Sequence, residues 1–499
     1  MSAFYPNFNL DALKQFAVET VAAEHRSRNA IGGTKQSSND VQPKILSCRN
    51  VHWGGDDMVM IEFDPESLPL GPRTMMAHFP KGRPRVTTQA LIGMTATMRT
   101  LPLRSQLQLV IPQVYGFKDF LPNPIGAEVV LLQKIAGHPL DEVWHTLPGH
   151  RRLRIVGKVT EFLLAMFNYR SNIMNTGLQG SSTDGASTSA TPGDRELLLA
   201  PAFDQGPLAT LPPQSAVGSI EEYLRALSSR VDRVFASPRT NQAARISSHP
   251  DEPPLSDEDV ARIRETWKRL ARLIPFHIGG FYLPDTLSRE ASEMAREVLQ
   301  SPQFGIYHSD MQMSRFIVDF SGPPVTYGSS QGSPTWSEPD VIVGLTGWEH
   351  ARWAPLWSCA RMPKWLQPHI EPGEIVPWER QSYYRSVIMA MVTQPGTVPN
   401  SSEWIIAYVY GATERWFEGC LSSHWRFRDT IEVLLTRLKF YWAKHKPRVV
   451  FPLPVGKAYA AIAQTPVPIP VPGPEPAQAN EEKRVAKGKR KGKSKAKVG

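Results

Sequence analysis

The order in which two hydrophobic periodicities follow one another constrains this chain more than any single residue does. From Cys48 to Val114 the sequence runs in short strand-like stretches, and Val59–Phe63 and Thr74–Phe79 flank a Pro/Gly turn at Pro69–Pro72 that reads as a hairpin. Val129–Ile135 is a buried-strand pattern that ends at Gly137 and Pro139. Beyond it the spacing turns helical over Arg151–Tyr169, Ile220–Val234, Ser256–Ile274, Ser288–Leu299, Glu379–Val392 and Ser402–Lys446. Ser256 is a candidate N-cap with acidic residues in the turn after it. One strand pair, Phe316–Phe320 with Val341–Leu345, interrupts the helices, and two more helices are expected at Leu10–His25 and Thr87–Leu101. A strand-rich unit, a strand closed by glycine and a helical unit holding a hairpin describe a bilobal α+β chain.

The boundaries that follow are 1–44 for an N-terminal helix and linker, 45–137 for the strand-rich lobe and 138–450 for the helical lobe. Polar, low-complexity stretches near 177–194 and 237–254 read as disordered insertions, and 451–499 as a disordered tail, first Pro-rich and then Lys-rich.

The net charge of +9 belongs to that tail. Residues 481–499 carry nine Lys/Arg and two Glu, or +7, so the body is nearly neutral. Nonspecific nucleic-acid or other polyanion contact, or a nuclear-import signal, is therefore confined to 481–499. The three cysteines, Cys48, Cys359 and Cys420, form no Cys-x-x-Cys pair, which argues against a disulfide framework or a zinc site and fits a reducing compartment. No basic-then-apolar leader is present, and the apolar runs Val387–Val392 and Trp404–Tyr410 fall short of the ~20 residues a bilayer needs. The expectation is a soluble, cytoplasmic protein with no membrane partner, nuclear if the tail acts as an import signal.

The chemistry concentrates in Ile306–Tyr–His308–Ser–Asp310–Met–Gln–Met–Ser–Arg315–Phe–Ile–Val318 and in Val343–Gly–Leu–Thr–Gly347–Trp348–Glu349–His–Ala351–Arg–Trp353–Ala–Pro355–Leu–Trp357. A His-x-Asp triplet alone says little, and His249–Pro250–Asp251 is a second one in a solvated loop. Context separates them: the first follows a helix, precedes a buried strand and leads through a hairpin to a Trp-Glu pair.

These residues resemble the fungal branch of the aminoglycoside phosphotransferase and choline kinase-like family. Its catalytic loop reads His-Gly-Asp-x-x-x-x-Asn, and its metal segment reads Ile-Asp-Trp-Glu, often followed by Ala and Trp-Ala-Pro-Leu-Trp. Thr95–Arg99, Ile111–Tyr115, Gly126–Glu128, Lys134–Leu140 and Val143–Trp144 are similar to family segments in matching order, so the resemblance covers about residues 45–370. It implies a protein-kinase-like fold, ATP and Mg as cofactors, and a small-molecule substrate. In such a site a carboxylate handles the hydroxyl proton, while an Asn and an Asp hold magnesium against the phosphates.

The resemblance places Asp310 at the catalytic base and His308 at the preceding His. Arg315 stands where the Asn ligand belongs, and Gly347 where the Asp belongs. A guanidinium is donor-only and cannot bind a metal, and glycine offers no side chain. His78 takes the place of the small-lobe cation, and Met94 that of the Glu that would steady it. Four of five charge-handling positions are thus altered. The nucleotide-covering turn resembles Trp53–Gly54–Gly55–Asp56–Asp57. Its glycines would admit phosphate, whereas its two acids would repel it. The strand Val129–Lys134 would supply the adenine-contacting hinge. The cofactor-binding candidates are accordingly Gly54, Gly55, His78, Lys134 and Arg315, with Lys81 as a substitute cation and Glu349 as a displaced metal ligand.

Each of these residues also has a structural reading. His308 would brace the loop by hydrogen bonding, Asp310 would cap or pair with Arg315, Glu349 would cap a helix, and Trp348, Trp353 and Trp357 would pack. The sequence thus points to a pseudokinase: a nucleotide- or small-molecule-binding or regulatory module with impaired phosphotransfer. The alternative is a working ATP-dependent phosphotransferase on a small hydroxylated or amino substrate.

Overall fold

The computed structural model describes residues 8–31, 43–54, 56–68, 72–79, 98, 110–118, 123–171, 218–236, 256–276, 283, 286–322, 324–327, 336–348, 351–366, 378–393, 400–422 and 428–445. Most of the expected helix Thr87–Leu101, both insertions, the tail, Gly55, Lys81, Met94 and Glu349 lie outside these residues.

Five strands, β1 (Ile45–Trp53), β2 (Asp56–Phe63), β3 (Thr74–His78), β4 (Val114–Lys118) and β5 (Val129–Gln133), form an antiparallel sheet in the order β1-β2-β3-β5-β4. Strand periodicity sends alternate side chains to opposite faces. Met58, Met60, Met76, Val130 and Leu132 face the helical lobe and join its core. Val59, Ile61, Met75, Ala77, Val129 and Leu131 face the other way. Both faces are covered, so β2, β3 and β5 read as nearly continuous apolar runs.

The outer cover is α1 (Leu10–Ile31). Asn9 caps it, its Oδ1 accepting from the amides of Asp11 and Ala12 at 3.1 Å each. Leu13, Ala17 and Val21, four residues apart, are buried against the sheet. The segment expected to be a helix and linker therefore contributes a longer helix that belongs to the small lobe's core.

The helical lobe contains α2 (Gly149–Asn168), α3 (Ile220–Ala236), α4 (Asp257–Ala271), α5 (Arg289–Leu299), α6 (Trp378–Thr393), α7 (Ser401–Tyr410), α8 (Ala412–Ser422) and α9 (Arg428–His445). Ser256 caps α4 as expected, accepting from the Asp259 amide at 3.1 Å. The run 402–446 is three helices rather than one. The first break is at Gly411, where a Cβ would stand 2.4 Å from the Ala407 carbonyl and 2.7 Å from Trp357.

Small strands lie among the helices. The anticipated hairpin is β8 (Phe316–Asp319) with β11 (Ile342–Leu345), extended by the two-residue β6 (His138–Pro139). Two pairings were not legible in the sequence: β9 (Pro324–Tyr327) with β10 (Trp336–Pro339), and β7 (Phe304–His308) with β12 (Ala351–Pro355). The aromatic, Pro-bearing run read as packing is itself a strand, and its register sets Ala351 opposite His308.

The lobes meet closely. Gly137, at φ +109°, would bring a Cβ within 2.2 Å of the Val318 carbonyl, a conformation and an approach that only glycine accommodates. The Leu345 amide donates to the Val110 carbonyl at 3.1 Å. One apolar cluster runs without a break from Met58 and Leu132 into α2 and β8. A sheet lobe and a helical lobe joined at a glycine give a bilobal α+β fold.

Candidate functional site

Strand β7 ends on His308, and the chain turns through Asp310 and a single 3-10 turn (Met313–Arg315) into β8. Strand β11 returns alongside and delivers Thr346 and Gly347 to the same place. His308 is buried and acts as the brace. Its Nε2 lies 3.1 Å from the Thr346 carbonyl, which can only accept, so Nε2 carries the proton. Nδ1 then accepts from the Asp310 amide at 3.3 Å. The Trp348 indole meets the His308 ring edge-on at 5.7 Å and donates to the Leu345 carbonyl at 2.8 Å.

Arg315 is the centre of the site, only 5% exposed. Its Nε donates to Asp310 Oδ2 at 2.8 Å. Its Nη1 donates to the Gly54 carbonyl at 2.8 Å and to the carboxylate of Asp56. Asp56 and Asp310 are 3% and 8% exposed, so one cation and two carboxylates share an enclosed space. Gln312 Nε2 completes the set, donating to Asp310 Oδ1 at 2.6 Å. Taking charges out of water is costly unless each is paired and hydrogen-bonded, and this cluster meets that requirement across the lobe boundary.

Two glycines make the arrangement possible. Gly347, at φ +74°, lies against the shaft of Arg315, and a Cβ there would come within 2.9 Å of Cδ. Gly54, at φ +61°, lies against Thr346, with its missing Cβ 2.7 Å from Oγ1. The Thr346 hydroxyl lies 3.0 Å from the Arg315 carbonyl and 3.4 Å from that of Gly54. The small-lobe turn therefore presents a carbonyl and a carboxylate to the cleft, and both are engaged by Arg315.

These residues do not fit magnesium. Arg315 is a donor-only guanidinium, Gly347 has no side chain, and the space a side chain on Gly347 would use is filled by Arg315. Among the described residues no group of three or more His, Cys, Asp or Glu is arranged to hold a metal.

A small cavity lies beside this cluster. Trp53, Met58, His78, Met98, Leu132 and Trp348 line a cavity of about 10 Å³, room for roughly one water, whereas ligand pockets run to about 300 Å³ or more. His78 is buried on the cleft face of β3, opposite Met58 on β2. Lys134 is exposed just beyond β5, near enough to Glu62 to help hold its carboxyl below the ordinary range, after Ser47 and Arg49. Of the candidates, the fold brings together Gly54, Arg315, Asp310 and His308, sets His78 behind them and leaves Lys134 apart.

Sequence reasoning missed Asp56 as the partner of Arg315 and Thr346 as the seat for Gly54. The available signal was charge complementarity: a cation, Arg315, on one loop and two acids, Asp56 and Asp57, in the facing turn.

No family model matches the chain. A stretch of 68 residues is 29% identical to subtelomeric hrmA-associated cluster proteins of two Aspergillus fumigatus strains; it is 14% of this chain and spans only 13% of those relatives. Among solved structures, a Ralstonia eutropha protein described as an aminoglycoside phosphotransferase aligns over 92% of this chain and 94% of its own, at 11% identity and a TM-score of 0.37. The GDP complex of aminoglycoside 2′-phosphotransferase-IIIa aligns over 81% and 94%, at 13% identity and a TM-score of 0.33. A thermostable aminoglycoside phosphotransferase with AMP-PNP and hygromycin B aligns over 77% and 94%, at 13% and 0.32. At these scores the fold assignment rests on the strand order, the glycine junction and the helical lobe described above.

Proposed function

We propose that this chain is an aminoglycoside-phosphotransferase-like module that has lost magnesium-assisted phosphoryl transfer and acts as a pseudokinase, through binding and regulation. One observation carries the reading. Arg315, which the family resemblance sets at a metal-ligand position, is buried between Asp310, the base in that resemblance, and Asp56 of the facing turn. A base held by a guanidinium and by Gln312 has its carboxylate oxygens engaged before any substrate arrives. Phosphoryl transfer is mostly positioning and charge neutralisation by metal, and neither metal ligand is present. The ligand class in this reading is a nucleotide or a small hydroxylated or amino molecule, held without magnesium.

The test is ADP release by the purified full chain with ATP and magnesium, in the presence of aminoglycosides and amino alcohols, against Asp310→Asn. Equal background rates in the two proteins support the reading. Magnesium-dependent release that Asp310→Asn abolishes would overturn it in favour of a working phosphotransferase using Asp310 as base.

A further inference from the structure

We propose that the small cavity at the lobe boundary is a single-water site, in which one water accepts a hydrogen bond from the Trp53 indole and donates one to the Thr346 hydroxyl. The inference goes beyond the pseudokinase reading and does not depend on it.

Two polar groups on this cavity have complementary needs. Trp53 ends β1 and is 6% exposed, and its Nε1 has no acceptor among the described residues. A donor taken out of water and left unpaired is costly, and a buried indole N–H usually finds a partner. Trp348 borders the same cavity and has one, donating to the Leu345 carbonyl at 2.8 Å. The second group is Thr346, buried on the segment that follows β11. Its hydroxyl lies 3.0 Å from the Arg315 carbonyl and 3.4 Å from that of Gly54. Carbonyls only accept, so the single hydroxyl proton goes to them and the oxygen lone pairs remain for an incoming donor.

Volume decides what can join them. The cavity measures about 10 Å³, close to the least space that admits a water. Met58, Met98 and Leu132 supply apolar wall, so a second polar molecule has neither room nor partners. A water holds in such a place only where at least two polar groups meet it, and here one donor and one acceptor border the same space. Water accepts from the first and donates to the second. The bridge ties the end of β1 in the small lobe to the segment after β11 in the helical lobe. It lies beside the close approach of Gly54 to Thr346, which joins the same two elements directly.

The experiment is nuclear magnetic resonance of the deuterated full chain carrying isotope-labelled tryptophan, with Trp53→Phe identifying the Trp53 indole signal by its loss. The expected result is a slowly exchanging Trp53 N–H with a dipolar cross-peak to a long-lived water. A slowly exchanging N–H with no such cross-peak, or an N–H that exchanges freely with bulk solvent, overturns the proposal. Thr346→Val keeps the shape and removes the acceptor, and is expected to lose the cross-peak; an unchanged cross-peak overturns the bridge to Thr346. Leu132→Phe leaves both polar groups in place and fills the cavity, so it too is expected to lose the cross-peak. Persistence there would trace the signal to the Thr346 hydroxyl proton and overturn the water. Met98→Phe fills the same cavity from another side and decides the matter should Leu132→Phe fail to fold. The readout uses neither nucleotide nor turnover, so its failure is distinct from a failure of the pseudokinase reading.

Discussion

The side chain of Arg315 occupies the volume that any side chain on Gly347 would need: a Cβ built on Gly347 would stand 2.9 Å from Arg315 Cδ and 3.0 Å from Nε. Positions 315 and 347 are therefore one steric unit, and their substitutions are expected to couple.

Gly347→Asp alone is expected to cost about 2–4 kcal/mol, because it adds a clash to a positive φ. Arg315→Asn alone is expected to cost about 3 kcal/mol or more, because it leaves Asp56 and Asp310 buried without their cation. The double variant should fall short of the sum by at least about 1 kcal/mol, since Asn vacates the space that Asp enters. Urea denaturation of the four proteins measures the coupling, and strict additivity would show that the two side chains do not share the space.

Leu13→Ala should cost about 3 kcal/mol, whereas Lys14→Ala on the neighbouring, partly exposed position should be near neutral. Leu13 is fully buried between α1 and the sheet. A small effect at Leu13 would mean that α1 is an appendage rather than part of the small-lobe core.

The fold was legible where periodicity carries the information. The β2–β3 hairpin, the β8–β11 pair, the Ser256 cap and the helices α2 to α6 follow from apolar spacing and end signals that local sequence holds. The β7–β12 pairing was not legible, because Trp353 sits in an aromatic, Pro-bearing run whose partner residue, Ile306, lies 47 positions earlier in the chain. At the site, motif spacing singled out His308, Asp310, Arg315 and Gly347, and pairing of Asp310 with Arg315 was among the readings considered. The Asp56 contact was hidden, because it joins residues from opposite lobes and depends on a glycine approach that no local pattern encodes.

Thiol reactivity should sort by burial. Cys420 is buried and its thiol is pushed up to about 12 by burial. Cys359 is buried with Sγ 3.3 Å from the Ala354 carbonyl. Cys48 is half-buried and only raised in direction, again by burial. At neutral pH a thiol reagent is expected to modify Cys48 alone in the folded protein, and all three cysteines after unfolding. Rapid labelling of Cys420 by mass mapping would contradict the packing around α8.

Asp340 links the β10–β11 connection to α2 through Arg154 at 2.9 Å. Burial raises its carboxyl, but the Arg154 hydrogen bond, the Val341 amide and the nearby charges of Arg154 and Lys158 outweigh that and hold it below the ordinary range. A depressed folded value adds stability above the unfolded carboxylate value, and this is lost as pH falls through the folded one. Asp340→Asn should cost about 1 kcal/mol at neutral pH. The gap to the parent should close in acid, and a gap independent of pH would assign the effect to shape instead of charge.

The buried ion cluster also acts as a ratchet on sequence change. Magnesium coordination at this place would require an amide at 315, an acid at 347 and a turn that releases Asp56. Taken one at a time, the first strands two carboxylates and the second collides with the guanidinium. The third leaves the cation in place and still supplies no metal ligand. Each single step therefore loses stability or gains nothing, and only a concerted change crosses the valley. A site closed in this way is held by the interdependence of its residues, with no single substitution able to undo it.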